Sequence, residues 1–288
     1  MSDLCPVLPQ DLERDIFLIT SYTDPQSVPT LMLGAHRVKL WVEPLRFRAM
    51  ILYGTILHRM EPRMKDFPFT NDETFSRLFS IPPATLRDSV RNLCLQHVSL
   101  PVVEYILSTC DNIQDLSIFP AHHPSLLDIV GKLRLRHLHC DLQSLFSGIE
   151  RNYVLAHIDY THSLFSNITH PTLPNESLIH LPRPTGPYKF LSLVPRTLRA
   201  CPALRVILFQ IITDEWDREV DASITRDPRF VQMALPMTIL EHASDWLDGV
   251  LTGSDYWARA EEHIKKRIAG EVTTYVMDES MELPVVEQ

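Results

Sequence analysis

His137, His139 and Asp141 stand in H-x-H-x-D spacing within the stretch RHLHCDL, and imidazole and carboxylate are the donor types that zinc accepts. Side chains two positions apart on a strand point the same way, so the three share one side of whatever element carries them. His157, Asp159 and His162 form a second group that offers the same ligand types to complete such a site. Other catalytic signatures are missing from the chain. No G-x-S-x-G elbow occurs, and neither G-x-G-x-x-G nor G-x-x-x-x-G-K is present. Only eight glycines occur in 288 residues, so loops that cradle phosphate through glycine backbone have little to work with. A nucleotide-binding enzyme is therefore not expected.

The H-x-H-x-D spacing resembles the dinuclear zinc site of metallo-β-lactamase-like hydrolases, but those place a histidine directly after the aspartate, where this chain has Leu142. The element that must carry these residues points elsewhere. Leu135, Leu138 and Cys140 interleave with them, and period-two alternation then sends His137, His139 and Asp141 to the opposite, solvent-facing side. That is where a protein-binding surface presents polar groups. The expectation is a partner-facing surface with no metal and no cofactor.

The same apolar triplet (apolar, two residues, apolar, one residue, apolar) recurs through the chain. It fits Val90/Leu93/Leu95, Ile113/Leu116/Ile118, Leu135/Leu138/Cys140, Ile168/Pro171/Leu173, Tyr188/Leu191/Leu193 and Leu204/Ile207/Phe209, with steps of 23, 22, 33, 20 and 16 residues. One longer match, LSTCDNIQDLSIF against LRACPALRVILFQ, holds in register and puts Cys110 and Cys201 in the same slot. A strand line of this form at a period of roughly 20–29 residues is the pattern of a leucine-rich repeat. Helices fill the intervals: Val102, Val103, Ile106 and Leu107 make one stripe, and Val194, Leu198 and Cys201 another. Each recurring cysteine then ends a helix facing inward, as a small buried hydrophobe. The expected fold class is α/β, an irregular leucine-rich-repeat-like solenoid.

Composition limits the partners. The formal charge is -9 and the pI is near 5.8, which disfavours nucleic acid as a ligand. The contiguous basic cluster Lys265-Lys266-Arg267 reads as the solvated C-terminal end of a helix. Five cysteines without a C-x-x-C pair fit a reducing compartment, and no apolar run approaches the roughly 18 residues of a spanning helix. The expected location is cytoplasmic or nuclear, without membrane contact.

The two ends differ from the middle. LPQDLERDIFLIT opens with Leu8-Pro9 and places Leu12, Ile16 and Ile19 on one helix face; VPTLMLGAHRVKLWVEPL offers Leu31, Ala35, Val38 and Val42 at helical spacing before Pro44. This N-terminal unit resembles an F-box. The resemblance implies docking on the small adaptor subunit of SCF-type ubiquitin ligases through Leu8, Pro9, Leu12, Ile16, Leu31 and Val38. Many F-boxes carry a Cys-Arg-x-Trp-like centre in the second helix, where this chain has Ala35-His36-Arg37-Val38 and then Trp41. A capping role for the same helices is the competing reading. DPRFV and DWLDGVLTGSDYWARAEEHI, together with the stretches above, resemble the F-box-like and leucine-rich-repeat-like proteins of mushroom-forming fungi. That resemblance implies an architecture and brings no catalytic residues. Trp257, Ala260, Ile264 and Ile268 share one helix face, expected to cap the last repeat.

The expected organisation is an F-box-like helical unit (1–50), a leucine-rich-repeat-like solenoid (51–225), and a C-terminal cap with a helix and a short disordered tail (226–288). The expected function is non-enzymatic protein–protein interaction, as a substrate adaptor of an SCF-type ubiquitin ligase. The alternatives are a free-standing scaffold without ligase contact and a zinc-dependent hydrolase.

Overall fold

The structure, a computed structural model, describes residues 8–24, 27–54, 78–119, 123–147, 158–174, 193–212, 220–235 and 239–277. Its frame is one eight-stranded sheet whose strands follow chain order: β1 (Ala49–Tyr53), β2 (Asn92–Gln96), β3 (Asp115–Phe119), β4 (His137–His139), β5 (His170–Pro174), β6 (Ile207–Ile212), β7 (Phe230–Leu235) and β8 (Val276–Met277). Every neighbouring pair is parallel. Parallel neighbours need a crossover, and helices lie in those intervals. They are α4 (Pro83–Ser89), α5 (Leu100–Thr109), α6 (Ser125–Val130), α7 (Leu142–Ser147), α8 (Val194–Ala200) and α9 (Ala222–Thr225). Before β1 come α1 (Gln10–Thr23), α2 (Val28–Leu31) and α3 (His36–Val42); between β7 and β8 come α10 (Ile239–Thr252) and α11 (Tyr256–Ile268).

The apolar triplets build the first face of this sheet. Leu93 lies beside Met50 and Leu116, Leu116 beside Leu138, and Leu138 beside Pro171. One step along, Leu95 lies beside Leu52 and Ile118, and Leu173 beside Phe209. Val90, Ile113, Leu135, Ile168 and Leu204 precede their strands and turn into the same core. Tyr188 and Leu191 of the remaining triplet lie outside the described residues. Cys110 and Cys201 follow α5 and α8 as their C-terminal caps, buried and unpaired with any other cysteine. Burial pushes both thiols up, that of Cys110 to about 12 and that of Cys201 to about 11, so neither offers thiolate at neutral pH.

The second face overturns the expected solenoid. A leucine-rich-repeat array keeps one face of its strands open, whereas here α10 and α11 lie across it and seal a second core. Ile51, Tyr53, Cys94, Val206, Leu208, Val231, Met233 and Met277 of the strands pack there against Ala243, Trp246, Leu247, Tyr256, Trp257, Ala260 and Ile264. The molecule is one all-parallel α/β sheet with helices on both sides, and the terms solenoid and leucine-rich repeat do not apply to it. Burying Trp246 and Trp257 stabilises this layer by on the order of 3 kcal/mol each.

The C-terminal helix is likewise no end cap. Trp257 Nε1 donates to Thr172 Oγ1 of β5 at 2.9 Å, and Arg267 donates to the Thr225, Pro228 and Phe230 carbonyls at 2.7, 3.2 and 2.7 Å. Ile268, expected on the buried face, is exposed. Gly253, at φ +75°, provides the left-handed turn between α10 and α11. Gly249 lets the two helices meet, since a Cβ there would stand 2.0 Å from Asp255 Cβ. The sheet runs across the expected divisions at 50 and 225, with β1 starting at Ala49 and β7 and β8 coming from the last segment.

Candidate functional site

Two places on this frame collect groups that invite a function. The first is α1. Proline 9 caps it without a side-chain hydrogen bond, and Asp11 and Glu13 in the first turn favour the positive helix start. Its inward side is Phe17 and Ser21, which meet a small core of Val28, Val38 and Val42 with Leu31, Met32, Ala35 and Trp41 around it. Glu13 accepts from Arg37 Nη2 at 2.7 Å and Nε at 3.1 Å, a bidentate clamp that fixes α1 on α3. That orientation turns the row Leu8, Leu12, Ile16 and Ile19 outward, at 52, 52, 49 and 61% exposure. A capping role would bury this row. Pro9 is exposed alongside it.

The expected docking set therefore divides. Leu8, Pro9, Leu12 and Ile16 present themselves to solvent, and Ile19 and Tyr22 extend the surface. Val38 is fully buried in the small core and Leu31 is half-buried against it, so those two support the unit from within. Helical periodicity alone could not rank the two apolar faces, because Phe17 and Leu12 are both apolar and the inward one is set by the small core that Phe17 meets.

The second place is a polar row on the covered face of the sheet. Asn92, Asp115, His137 and His170 are neighbours in register across β2 to β5. His137 Nδ1 stands 2.7 Å from Asp115 Oδ1, though out of line for a hydrogen bond. The His137 ring meets His170 edge-on at 4.5 Å and lies 4.7 Å from Trp257 of α11. His170 Nε2 donates to Glu261 Oε1 of α11 at 3.0 Å, and Arg205 reaches the same oxygen at 2.9 Å. Burial, then the nearby His137 and Arg205 charges, lowers His170 to about 3. Asp255 caps α11, accepting from the Ala258 N–H at 2.7 Å; burial raises its pKa, with Asp115 and Asp245 adding to the effect and His137 opposing it.

These contacts seat α11 on the sheet. His139 and Asp141 are buried at 3 and 5% exposure, and the His137 side chain keeps 27%. Alternation does send the two histidines away from the triplet core, as the sequence implies, yet α11 covers the side they reach. Asp141 caps α7 instead, accepting from the Ser144 backbone N–H at 3.0 Å and from its hydroxyl. Among the described residues, no group of three or more His, Cys, Asp or Glu is placed to hold a metal ion. His157 of the second ligand group lies outside them. No helix among the described residues is long and apolar enough to cross a membrane. His170, Glu261 and Asp115 were not singled out by sequence reasoning; His170 leads the fourth triplet strand, but its partner lies 91 positions away.

No family model matches the chain, and no curated protein matches it. Among solved structures the chain is similar to one from Leishmania major Friedlin, provisionally described as an aspartate carbamoyltransferase. It has 14% identity and a TM-score of 0.19, covering 89% of this chain and 94% of that one. A score that low carries no argument. The labels F-box-like and ubiquitin ligase adaptor find no support in these comparisons.

Proposed function

We propose that the chain is a non-enzymatic protein–protein interaction protein that engages a partner through the outward row of α1. The observation behind this reading is where apolar surface is left uncovered. Of the nine exposed large hydrophobic residues described, seven (Leu8, Leu12, Ile16, Ile19, Tyr22, Leu33 and Leu40) fall within residues 8–40. A protein that seals both faces of its sheet has enough core to bury four more aliphatic side chains, and concentrated exposure of this kind marks an interaction site. The amphipathic geometry fits a helix laid into an apolar groove, read at i, i+4 and i+7.

The partner to test first is the small adaptor subunit of SCF-type ligases, which the N-terminal resemblance implies. Immobilised recombinant adaptor should capture the full-length chain and release Leu12→Asp/Ile16→Asp, with the far-ultraviolet circular dichroism of the variant unchanged. Capture of the variant at the wild-type level would remove α1 as the docking surface. If the wild-type chain is not captured, ligase contact is wrong and the free-standing scaffold is the reading that remains.

A further inference from the structure

The exposed row of α1 has two unlike borders. At about 100° per residue, Leu12, Ile16 and Ile19 fall within an arc of about 60° around the helix. Asp15 lies about 40° beyond Ile19 on one side and Asp11 about 80° beyond it, and both are exposed. Among the described residues neither carboxylate forms an ion pair. On the other side come Thr20 and Glu13, and Arg37 neutralises Glu13. One border is therefore acidic, and the opposite one carries no net charge.

Helix formation explains only part of this. Asp11 sits in the first turn, where negative charge favours the positive helix start. Asp15 is a turn further in, and like charges at i and i+4 weaken a helix. Arg14, the one cation on α1, stands about 60° past Asp11 toward the inward side and pairs with neither. Tyr22 continues the acidic border, and Arg48 lies 4.6 Å from its ring centroid. That border therefore turns positive at its C-terminal end.

We infer that α1 docks into an apolar groove of a partner protein whose rim carries lysine or arginine opposite Asp11 and Asp15. Apolar contact supplies the grip, and the single acidic border decides which way round the helix lies. The inference rests on α1 docking as proposed above and adds the chemistry of the partner. A second copy of the chain does not fit that role. Among the described residues, its exposed large hydrophobics outside 8–40 are Phe79 and Ile268, too few to line a groove.

The test uses the full-length chain and two fluorescein-labelled helical peptides, LKKLLKLLKKLLKL and LEELLELLEELLEL. Lysines border the leucine face of the first, and glutamates border that of the second. Binding is read by fluorescence anisotropy at physiological salt. The wild type should bind the lysine peptide at least about tenfold more tightly than the glutamate peptide. Asp11→Lys/Asp15→Lys should erase or reverse that preference. Asp11→Asn/Asp15→Asn should reduce it, and keeps the question answerable if lysine at the helix start perturbs α1. Asp88→Lys/Asp128→Lys makes the same change in net charge on exposed positions elsewhere and should keep the preference. Leu12→Asp/Ile16→Asp should bind neither peptide. Binding that survives this last pair would bring down α1 docking itself and the inference with it. Binding lost in that pair but equal for the two peptides, a preference that survives Asp11→Lys/Asp15→Lys, or an equal loss in the control pair would overturn the basic rim alone. No binding of the lysine peptide to the wild type would overturn it as well.

Discussion

His170 shows how a single side chain sets an acid limit on the fold. Its ring is neutral in the native state because burial lowers it to about 3, whereas in an unfolded chain it titrates near 6.5. Below pH 6.5 the unfolded state takes up a proton that the folded state refuses, so stability falls as pH drops from 6.5 toward 3. At pH 5 the loss is about 2 kcal/mol. Urea unfolding at pH 7 and pH 5 should show that difference, and His170→Gln should flatten it; an unchanged slope in the variant would contradict the neutral assignment. Gly54 is a second residue-scale constraint. A Cβ there would stand 1.7 Å from the His97 carbonyl oxygen, and His97 itself sits at φ +53°. Gly54→Ala should cost about 3 kcal/mol or more, read as a lowered thermal midpoint. Neither constraint was legible in the sequence. A glycine after an apolar strand and a histidine beside Pro171 look ordinary until the neighbouring strand, dozens of positions away in the chain, is set against them.

At the scale of elements, α1 and α11 make opposite use of amphipathicity. Leu12→Asp/Ile16→Asp on α1 should change stability by no more than about 0.5 kcal/mol, since the row is solvent-facing, while Val38→Asp should unfold the N-terminal helices. Chemical denaturation of both variants checks the contrast. On α11 the Trp257–Thr172 hydrogen bond is buried at both ends. Trp257→Phe and Thr172→Val should each cost about 1–3 kcal/mol, and the double variant less than their sum, because each single change leaves a polar group orphaned. The sequence made the amphipathic pattern of α11 plain, with Trp257, Ala260 and Ile264 at helical spacing. It could not say what that face covers, and an end cap and a lid across a sheet need the same stripe. The strand triplets were more legible, because an alternation of period two fixes both the strand and its inward side.

Across the whole molecule, the sheet depends on α10 and α11 for half its cover. A chain ended at residue 238 would leave Ile51, Tyr53, Cys94, Val206, Leu208, Val231 and Met233 without their helical partners. Such a truncation should be insoluble or aggregate on purification, and a soluble, cooperatively unfolding product would show that the second core is dispensable. The overall class, α/β with alternating strands and helices, was readable from the repeated triplets. The solenoid expectation failed because a free second face was assumed where the polar residues on it had suggested solvent. Strand order adds a temporal side to this arrangement. Each strand pairs with its predecessor, so the first face can close progressively as the chain leaves the ribosome. Ile51 and Cys94 must instead wait for Trp246 and Tyr256, which emerge more than half the chain later. Throughout most of translation the nascent protein is therefore one-sided, greasy on the flank it will finally seal, and reliant on whatever shields new polypeptides until its last helices arrive.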